Sequence, residues 1–219
     1  SGADSSRPCA PELRLEGWRS GAPRAGEVTI DVRASAINFP DTLCVNGLYP
    51  TLPAYPFVPG FEVSGVVSAI GEGVFGVTVG DAVIAVTGDS LGGHAQQVNV
   101  SSDGLLPKPE NITFEEACSL PVVFGTVYSA FALGGLRRGE HVLIQTATGG
   151  CGLMALQLAR LLGAVCYGTS SRREKQEILK RLQVPHTLDY RGDFDRELMQ
   201  LTGGRGVDVV LNMVAGDAI

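Results

Sequence analysis

The sequence predicts an α/β protein in which a β-rich domain is followed by a doubly wound parallel sheet. Short apolar segments between glycine and proline turns fill the first half, which is typical of a β-rich fold. In the second half apolar strands alternate with helices, and a glycine-rich turn joins the first strand to the first helix. Because the pattern changes near Pro121, we expect one domain over residues 1–120 and a second over residues 121–219.

The first half contains short strand candidates, which are residues 28–32, 63–70, 82–87 and 95–100. Their spacing and the turns between them predict a compact, barrel-like β fold, in which Gly65 interrupts the second strand. Residues 48–60 contain four prolines. Since proline cannot donate to a strand ladder or continue a helix, this segment is predicted to be a loop.

The second half alternates strands with helices. The strands are predicted at residues 141–147, 165–169, 186–190 and 207–213, and the helices at 151–163, 173–183 and 193–201. This order predicts a parallel sheet with right-handed crossovers. Because doubly wound nucleotide-binding folds usually have six strands, we expect the sequence to be a C-terminally truncated part of a longer protein.

Composition excludes some classes of function. The net charge of −6 and the pI near 5.1 argue against a nucleic-acid partner, since a phosphate backbone needs a basic surface. No apolar run is long enough to span a membrane, and the N-terminal residues have no apolar core of a signal peptide. The five widely spaced cysteines predict reduced thiols in a cytoplasmic protein, with neither a structural zinc site nor a disulfide framework.

The glycine-rich turn has the sequence ATGGCG over residues 147–152, which departs from the usual GxGxxG pattern. Gly149 and Gly150 can adopt positive φ and let the backbone approach a pyrophosphate. Gly152 would let the helix pack closely on the strand, and the helix N-terminus would offer N–H groups to the phosphates. The alternative is a tight turn without a ligand, but the strand before it and the helix after it favour dinucleotide binding.

The residues after the second strand of this half indicate which dinucleotide binds. NAD sites place an acidic residue at this strand end, where it binds the ribose hydroxyls. Here the strand is followed by Ser170, Ser171, Arg172, Arg173 and, two residues later, Lys175. Hydroxyls and positive charges suit a 2′-phosphate, so the sequence favours NADPH. The alternative is a solvated, basic first turn of a helix.

Several motifs together resemble one family. They are INFPD at residues 37–41, GLYP at 47–50, PGFE at 59–62, VGDAV at 79–83, LPVVFGTVYSA at 120–130 and GGRGVDVVLNMVA at 203–215. With ATGGCG, the sequence resembles the zinc-free medium-chain dehydrogenase/reductases, and within them the enoyl reductase domains of modular polyketide synthases. The resemblance implies a GroES-like barrel domain followed by a Rossmann domain. Zinc-bearing relatives have Cys and His ligands where this chain has Asn38 and Phe61, so the resemblance implies metal-free hydride transfer.

The resemblance also implies which residues bind the cofactor. Asn38 and Thr126 would line the nicotinamide and a nearby phosphate, Lys175 and Tyr190 would contact the 2′-phosphate, and Asn212 would lie in the nucleotide cleft. With the glycine turn and the basic strand end, the predicted cofactor-binding set is Asn38, Thr126, Thr148, Gly149, Gly150, Cys151, Gly152, Ser170, Arg172, Lys175, Tyr190 and Asn212.

The implied reaction is conjugate reduction of an α,β-unsaturated thioester, with hydride added to the β-carbon and a proton to the α-carbon. Tyr49, Lys175 and Asp193 match residues associated with protonation in this family, and they are the predicted catalytic residues. Each has a structural alternative. Tyr49 could anchor the proline-rich loop, Lys175 could bind phosphate, and Asp193 could cap a helix. His94 is expected to be a turn residue.

The implied substrate is an enoyl chain on an acyl carrier protein, and the implied partners are the other domains of a synthase polypeptide; a homodimer is compatible with this. The first alternative is a free-standing NADPH:quinone or enone oxidoreductase. It is favoured by Pro40, which replaces an arginine usual in polyketide enoyl reductases. An altered site could also carry out a variant of the hydride step on an unusual thioester. The second alternative is a nucleotide-binding relative that is not an enzyme.

Overall fold

The first half of the chain is built on one antiparallel sheet. The computed structural model describes residues 13–17 and 20–214, and the chain divides into two units, Ser1–Val122 and Val123–Ile219. The strands of the first unit are β1 (Glu27–Ser35), β2 (Glu62–Ile70), β3 (Ala82–Val86), β4 (Gln97–Ser101) and β5 (Leu105–Pro107). Their order in the sheet is β4-β1-β2-β3-β5, and all pairs are antiparallel.

Alternating apolar residues form the core of this unit. Val28, Ile30, Val63 and Val67 are buried and belong to one cluster on the inner face of the sheet. Gly65 does not interrupt β2, contrary to the sequence prediction. It lies beside a bulge in β1, where a Cβ atom at Gly65 would come within 2.2 Å of the carbonyl oxygen of Asp31. Glycine therefore keeps the two strands paired.

Two short helices of the first unit were not predicted from the sequence. Helix α1 (Phe39–Val45) begins after Asn38 and carries Pro40 in its first turn, where a missing N–H costs no intrahelical bond. Helix α2 (Phe114–Cys118) begins at a capping box, in which Thr113 and Glu116 accept each other's backbone N–H bonds. A longer helix, α3 (Pro121–Gly134), follows α2.

The second half forms a parallel sheet, as the alternating pattern predicts. Its strands are β6 (His141–Ile144), β7 (Val165–Thr169), β8 (His186–Leu188) and β9 (Val209–Leu211), in the order β8-β7-β6-β9. The connecting helices are α4 (Gly150–Leu162), α5 (Arg173–Arg181) and α6 (Phe194–Leu201). Strands β8 and β9 are shorter than the predicted segments, because their flanking residues form turns or extended chain without ladder partners.

Both faces of this parallel sheet are covered. Val142 and Ile144 of β6 point to the side of α4, where they pack in a cluster with Ala155 and Ala159. Leu143 points to the opposite side and packs with residues of β7, β8 and α6, which are Tyr167, Leu188 and Leu198. This two-sided burial explains why the strands are almost continuously apolar.

Candidate functional site

The turn between β6 and α4 contains a residue in the left-handed conformation, which is Thr146. Thr146 has a φ of +47°, whereas Gly149 has a φ of −77° and is the N-cap of α4. Gly150 does not have a positive φ either. The capacity of Gly149 and Gly150 for positive φ is therefore not used in this turn. The left-handed step comes earlier because the end of β7 binds the turn there, through a hydrogen bond from the Ala147 N–H to the Thr169 carbonyl.

The glycines serve close approach instead. A Cβ atom at Gly152 would lie 2.5 Å from the Thr146 carbonyl oxygen and 2.6 Å from the Ala147 Cα, so only glycine allows α4 to begin against the strand. This agrees with the packing role predicted for Gly152. Gly149 and Gly150 are exposed, and Thr148 and Cys151 are partly buried beside them. The first turn of α4 thus presents a backbone surface free of side chains at the carboxyl edge of the sheet.

Buried polar atoms without partners lie at the same edge. Ser170 directly follows β7 and is 2% exposed, and its Oγ has no hydrogen-bond partner in the described structure. Gln145 directly follows β6, and its Oε1 is in the same state. Unpaired buried groups are costly, so they mark places where a ligand or a water supplies the missing bond. Gln145 was not among the predicted residues, because the strand predicted over residues 141–147 placed it inside the strand, whereas β6 ends at Ile144.

The other predicted residues of the second unit follow the carboxyl ends of the same strands. Arg172 and Lys175 are exposed at the start of α5, after β7. Tyr190 is partly buried after β8. Asn212 follows β9 and is exposed, with its Oδ1 accepting the Val214 N–H. In parallel sheets the carboxyl ends of neighbouring strands form one ligand-binding edge, so the topology brings these residues to one side of the unit.

Asp193 and Thr126 are placed on helices. Asp193 is at the N-cap position of α6, and its carbonyl oxygen accepts the Glu197 N–H, but its side chain makes no capping hydrogen bond. Asp193 therefore has the N-cap position that the structural alternative predicts, but its side chain does not cap the helix. Thr126 lies exposed on α3.

In the first unit, two buried carboxylates hold Asn38. The Asn38 backbone N–H donates to Asp41 Oδ2 at 2.7 Å, and its side-chain Nδ2 donates to Glu62 Oε1 at 2.7 Å. The second oxygen of Glu62 accepts the Val122 N–H in the first turn of α3 at 2.8 Å. Glu62 is fully buried and Asp41 nearly so, whereas Asn38 is partly exposed. Asn38 was predicted from the sequence, but the two acidic residues that position it were not.

The environment of Glu62 perturbs its ionisation. Burial raises the pKa of Glu62, while the hydrogen bonds from Asn38 and Val122 oppose this shift and the nearby Asp41 charge adds to it. Burial also raises the pKa of the Cys118 thiol, and the negative charge of Glu62 adds to that effect. Cys118 is therefore a buried thiol of low reactivity.

Asp41 also joins a second set of polar contacts. Its Oδ1 accepts the Gly60 N–H at 3.0 Å and lies 3.4 Å from His94 Nε2, while His94 Nδ1 is 3.0 Å from Ser35 Oγ. Gly60 has a φ of +109°, and a Cβ atom there would come within 2.5 Å of the His94 backbone nitrogen. His94 lies in a bend, as expected, but it also connects β1 to α1.

Tyr49 lies in the loop after α1 and is partly buried. Its ring makes an edge-to-face contact with Phe61, with ring centroids 5.3 Å apart. Phe61 directly precedes β2, so Tyr49 is held against the same strand end that carries Glu62. This contact suits a loop anchor, and it also fixes the orientation of the Tyr49 ring.

Two further properties concern the described residues alone. Within residues 13–17 and 20–214, no three His, Cys, Asp or Glu side chains are grouped so that they could hold a metal ion. Over the same residues, no helix is both long enough and apolar enough to cross a membrane.

Sequence models of two families match the two units. The alcohol dehydrogenase GroES-like domain matches residues 24–110, and the zinc-binding dehydrogenase domain matches residues 150–219. The chain belongs to the medium-chain dehydrogenase/reductases. The β-rich unit is thus the GroES-like domain and the parallel sheet is the Rossmann domain of this family, as the resemblance implies. Although the second family is described as zinc-binding, the described residues offer no ligand set for zinc.

Relatives of this medium-chain dehydrogenase/reductase include synthase domains and quinone reductases. The chain is 40% identical over 94% of its length to a phenolphthiocerol/phthiocerol polyketide synthase polypeptide of Mycobacterium tuberculosis, of which it spans 9%. It is 36% identical to the CurK enoyl reductase, with a TM-score of 0.86 over 94% of this chain and 64% of that one. A quinone oxidoreductase of Pseudomonas syringae is 33% identical, with a TM-score of 0.86 over 92% of this chain and 62% of that one.

The dehydrogenase fold of this family implies a nicotinamide cofactor. The residues present fit such a cofactor. The exposed glycine backbone at α4 suits a pyrophosphate, and the partnerless Ser170 hydroxyl at the end of β7 suits a ribose or its phosphate. The chain spans less than two thirds of the length of each of these relatives.

Proposed function

We propose that the chain belongs to an NADPH-dependent enoyl-thioester reductase domain of a polyketide synthase. The observation that carries this proposal is its similarity over both units to the CurK enoyl reductase and to a mycobacterial polyketide synthase. In this proposal the substrate is an enoyl chain on an acyl carrier protein, the partners are other synthase domains, and a homodimer is compatible with it.

The preference for NADPH is supported by the end of β7. Ser170 offers a buried hydroxyl without a partner, and Arg172 and Lys175 offer exposed positive charges on the residues that follow. A 2′-phosphate accepts hydrogen bonds from all three groups, whereas the acidic residue expected for NAD is missing from the strand end. Tyr190, after the neighbouring strand, would add a contact to the same phosphate.

The remaining residues of the proposed site have separate tasks. Thr148–Gly152 would bind the pyrophosphate through backbone N–H groups, except that of Gly149, which donates to the Thr146 carbonyl. Asn212 would border the nucleotide cleft. Asn38 and Thr126 would orient the nicotinamide end. The bound cofactor supplies the hydride. After hydride addition, Tyr49 would deliver a proton from its Oη to the α-carbon, because a phenol is acidic enough to protonate an enolate.

Lys175 and Asp193 are weaker candidates for the proton donor. Lys175 lies among the residues proposed for the 2′-phosphate, and an ammonium engaged there is not free to move a proton. Asp193 sits at a helix N-cap position. Tyr49 is the stronger candidate, because edge-to-face packing on Phe61 holds its ring in place.

The second candidate function is a free-standing NADPH:quinone or enone oxidoreductase. It is favoured by the 33% identity to the Pseudomonas syringae quinone oxidoreductase and by Pro40 in the first turn of α1. Pro40 replaces an arginine that the resemblance to polyketide enoyl reductases leads one to expect. The loss of that positive charge would remove a contact for a charged carrier-bound substrate.

Parallel assays separate these functions. NADPH consumption by the protein is measured with a short enoyl-pantetheine thioester and with a simple quinone. Turnover of the thioester with little turnover of the quinone supports the synthase proposal. Turnover of the quinone alone contradicts it and supports the second candidate. Tight binding of NADPH with no turnover of either compound, even with a carrier-bound thioester, would favour a nucleotide-binding protein that is not an enzyme.

A further inference from the structure

Asn38 is held by an unusual arrangement for a partly exposed residue. Its side-chain amide is bound by a carboxylate with no exposure to solvent, and its backbone N–H is bound by a second carboxylate that is nearly buried. Burying carboxylates is costly, and an apolar residue of similar volume would stabilise the same place more cheaply. The cost is understandable if Glu62 serves the side chain that it orients.

The hydrogen-bond chemistry fixes that orientation. An ionised carboxylate only accepts hydrogen bonds, so the Nδ2 end of the Asn38 amide must face Glu62 Oε1 and the Oδ1 end must point the other way. Glu62 itself cannot rotate freely, because its other oxygen accepts the Val122 N–H in the first turn of α3. The buried Glu62 side chain therefore connects the Asn38 amide to the backbone of α3 and fixes its position.

We propose that Glu62 is a positioning residue, which orders the Asn38 amide for the nicotinamide end of the cofactor. This inference rests on the proposed cofactor-binding role of Asn38. Preorganised polar groups bind a ligand more tightly because they lose no rotamer freedom on binding. Glu62 touches neither cofactor nor substrate in this account, and its effect on them passes through Asn38.

The Glu62→Gln substitution tests the inference without changing side-chain volume. Asn38 and Val122 donate to different oxygens of Glu62, and glutamine replaces one of these oxygens with an N–H₂ group, so one of the two hydrogen bonds is lost. An N–H₂ group facing Asn38 allows the Asn38 amide to flip. Dissociation constants are measured by nicotinamide fluorescence for NADPH and by competition for 2′-phospho-ADP-ribose, which lacks the nicotinamide. We expect about tenfold weaker NADPH binding, in line with one lost hydrogen bond, and less than about a twofold change for the fragment.

Two comparison variants separate positioning from loss of stability. Val67→Ala removes buried apolar volume from the same strand, β2, and destabilises the same unit without touching Asn38. It is expected to lower the free energy of unfolding and to leave the NADPH-to-fragment affinity ratio unchanged. In the Asn38→Ala background, Glu62→Gln should weaken NADPH binding no further, because the group through which it acts is gone.

The outcomes are distinguishable. An equal loss of affinity for NADPH and the fragment in Glu62→Gln, an unchanged affinity for both, or a full additional loss in the double variant would each overturn the positioning role. If the unsubstituted protein binds no NADPH, both the proposed function and this inference fail. If it binds NADPH and reduces only quinones, the enoyl-thioester proposal fails, while the expected Glu62 effect on NADPH binding would still support the inference.

Discussion

Gly152 and Ala147 approach so closely that a Cβ atom on Gly152 would lie 2.6 Å from the Ala147 Cα. The contact joins the first turn of α4 to the turn that follows β6, and it sets the geometry of the proposed pyrophosphate site. The clash involves backbone atoms, which cannot move aside as a flexible side chain does.

Gly152→Ala is therefore expected to destabilise the Rossmann unit by about 1–3 kcal/mol and to weaken NADPH binding, since the helix must shift from the strand. Chemical denaturation and fluorescence titration measure the two effects. Gly125→Ala is the matched control, because Gly125 lies within α3 and a Cβ there meets no atom within 4 Å. The control should raise stability by up to about 1 kcal/mol through helix propensity. Equal behaviour of the two variants would contradict the close contact.

Ser170→Ala should separate stability from binding. The Ser170 Oγ is buried without a partner, so its removal leaves stability unchanged or slightly higher. If this hydroxyl contacts the cofactor, NADPH binding should weaken by roughly tenfold. Thermal unfolding without ligand and titration with NADPH provide the two readouts. A destabilised variant with normal affinity would show that Ser170 has a structural partner instead.

Lys175→Ala should reduce the preference for NADPH over NADH. The dissociation constant for NADH divided by that for NADPH is expected to fall by roughly tenfold at low salt. The fall should be smaller at high salt, since salt screens exposed charges. Lys180→Ala is the control on the same helix, because Lys180 is exposed and paired with Glu177 at 2.9 Å. A loss of turnover with an unchanged NADPH-to-NADH ratio would instead favour Lys175 as the proton donor.

The pH dependence of stability tests the burial of Glu62. Because burial raises the pKa of Glu62 in the folded protein, its contribution to stability is present in full below the unfolded value of about 4.3 and is lost as pH rises through the folded pKa. The free energy of unfolding should therefore fall, relative to Glu62→Gln, as pH is raised across that window. Parallel curves for the two proteins would show that the folded and unfolded pKa values are alike.

Tyr49→Phe distinguishes a proton donor from a loop anchor. The substitution removes the hydroxyl and keeps the ring contact with Phe61, so stability should not change. A general acid contributes about 10²-fold or more, so turnover of the enoyl thioester should fall by that order while NADPH binding is retained. Unchanged turnover would assign Tyr49 to the anchoring role.

The order of strands and helices in the second half could be predicted because apolar strands and amphipathic helices alternate there without long interruptions. The bend at Thr146 could not, since a β-branched residue with positive φ contradicts local preference and is imposed by contacts from the end of β7. Helix α1 was also missed, because its seven residues lie beside the proline-rich segment and show no clear period.

The candidate site divides in the same way. Ser170, Arg172 and Lys175 follow a strand directly, so their location at the sheet edge could be predicted from local order. The contact between Glu62 and Asn38 spans 24 positions and depends on how β2 lies against α1. Such long-range polar contacts leave no periodic trace in the sequence, and Glu62, which directly precedes the strand predicted over residues 63–70, could equally have faced solvent.

The proposed reduction of an enoyl thioester is tested by following the hydride itself. The protein is incubated with an enoyl-pantetheine thioester and NADPH deuterated at the transferred position of the nicotinamide, and the product is analysed by mass spectrometry and NMR. We predict a saturated thioester with one deuterium at the β-carbon and a solvent-derived proton at the α-carbon. NADPH oxidation by a quinone with no deuterium in any thioester product, or a deuterated product that is not the saturated thioester, would contradict it.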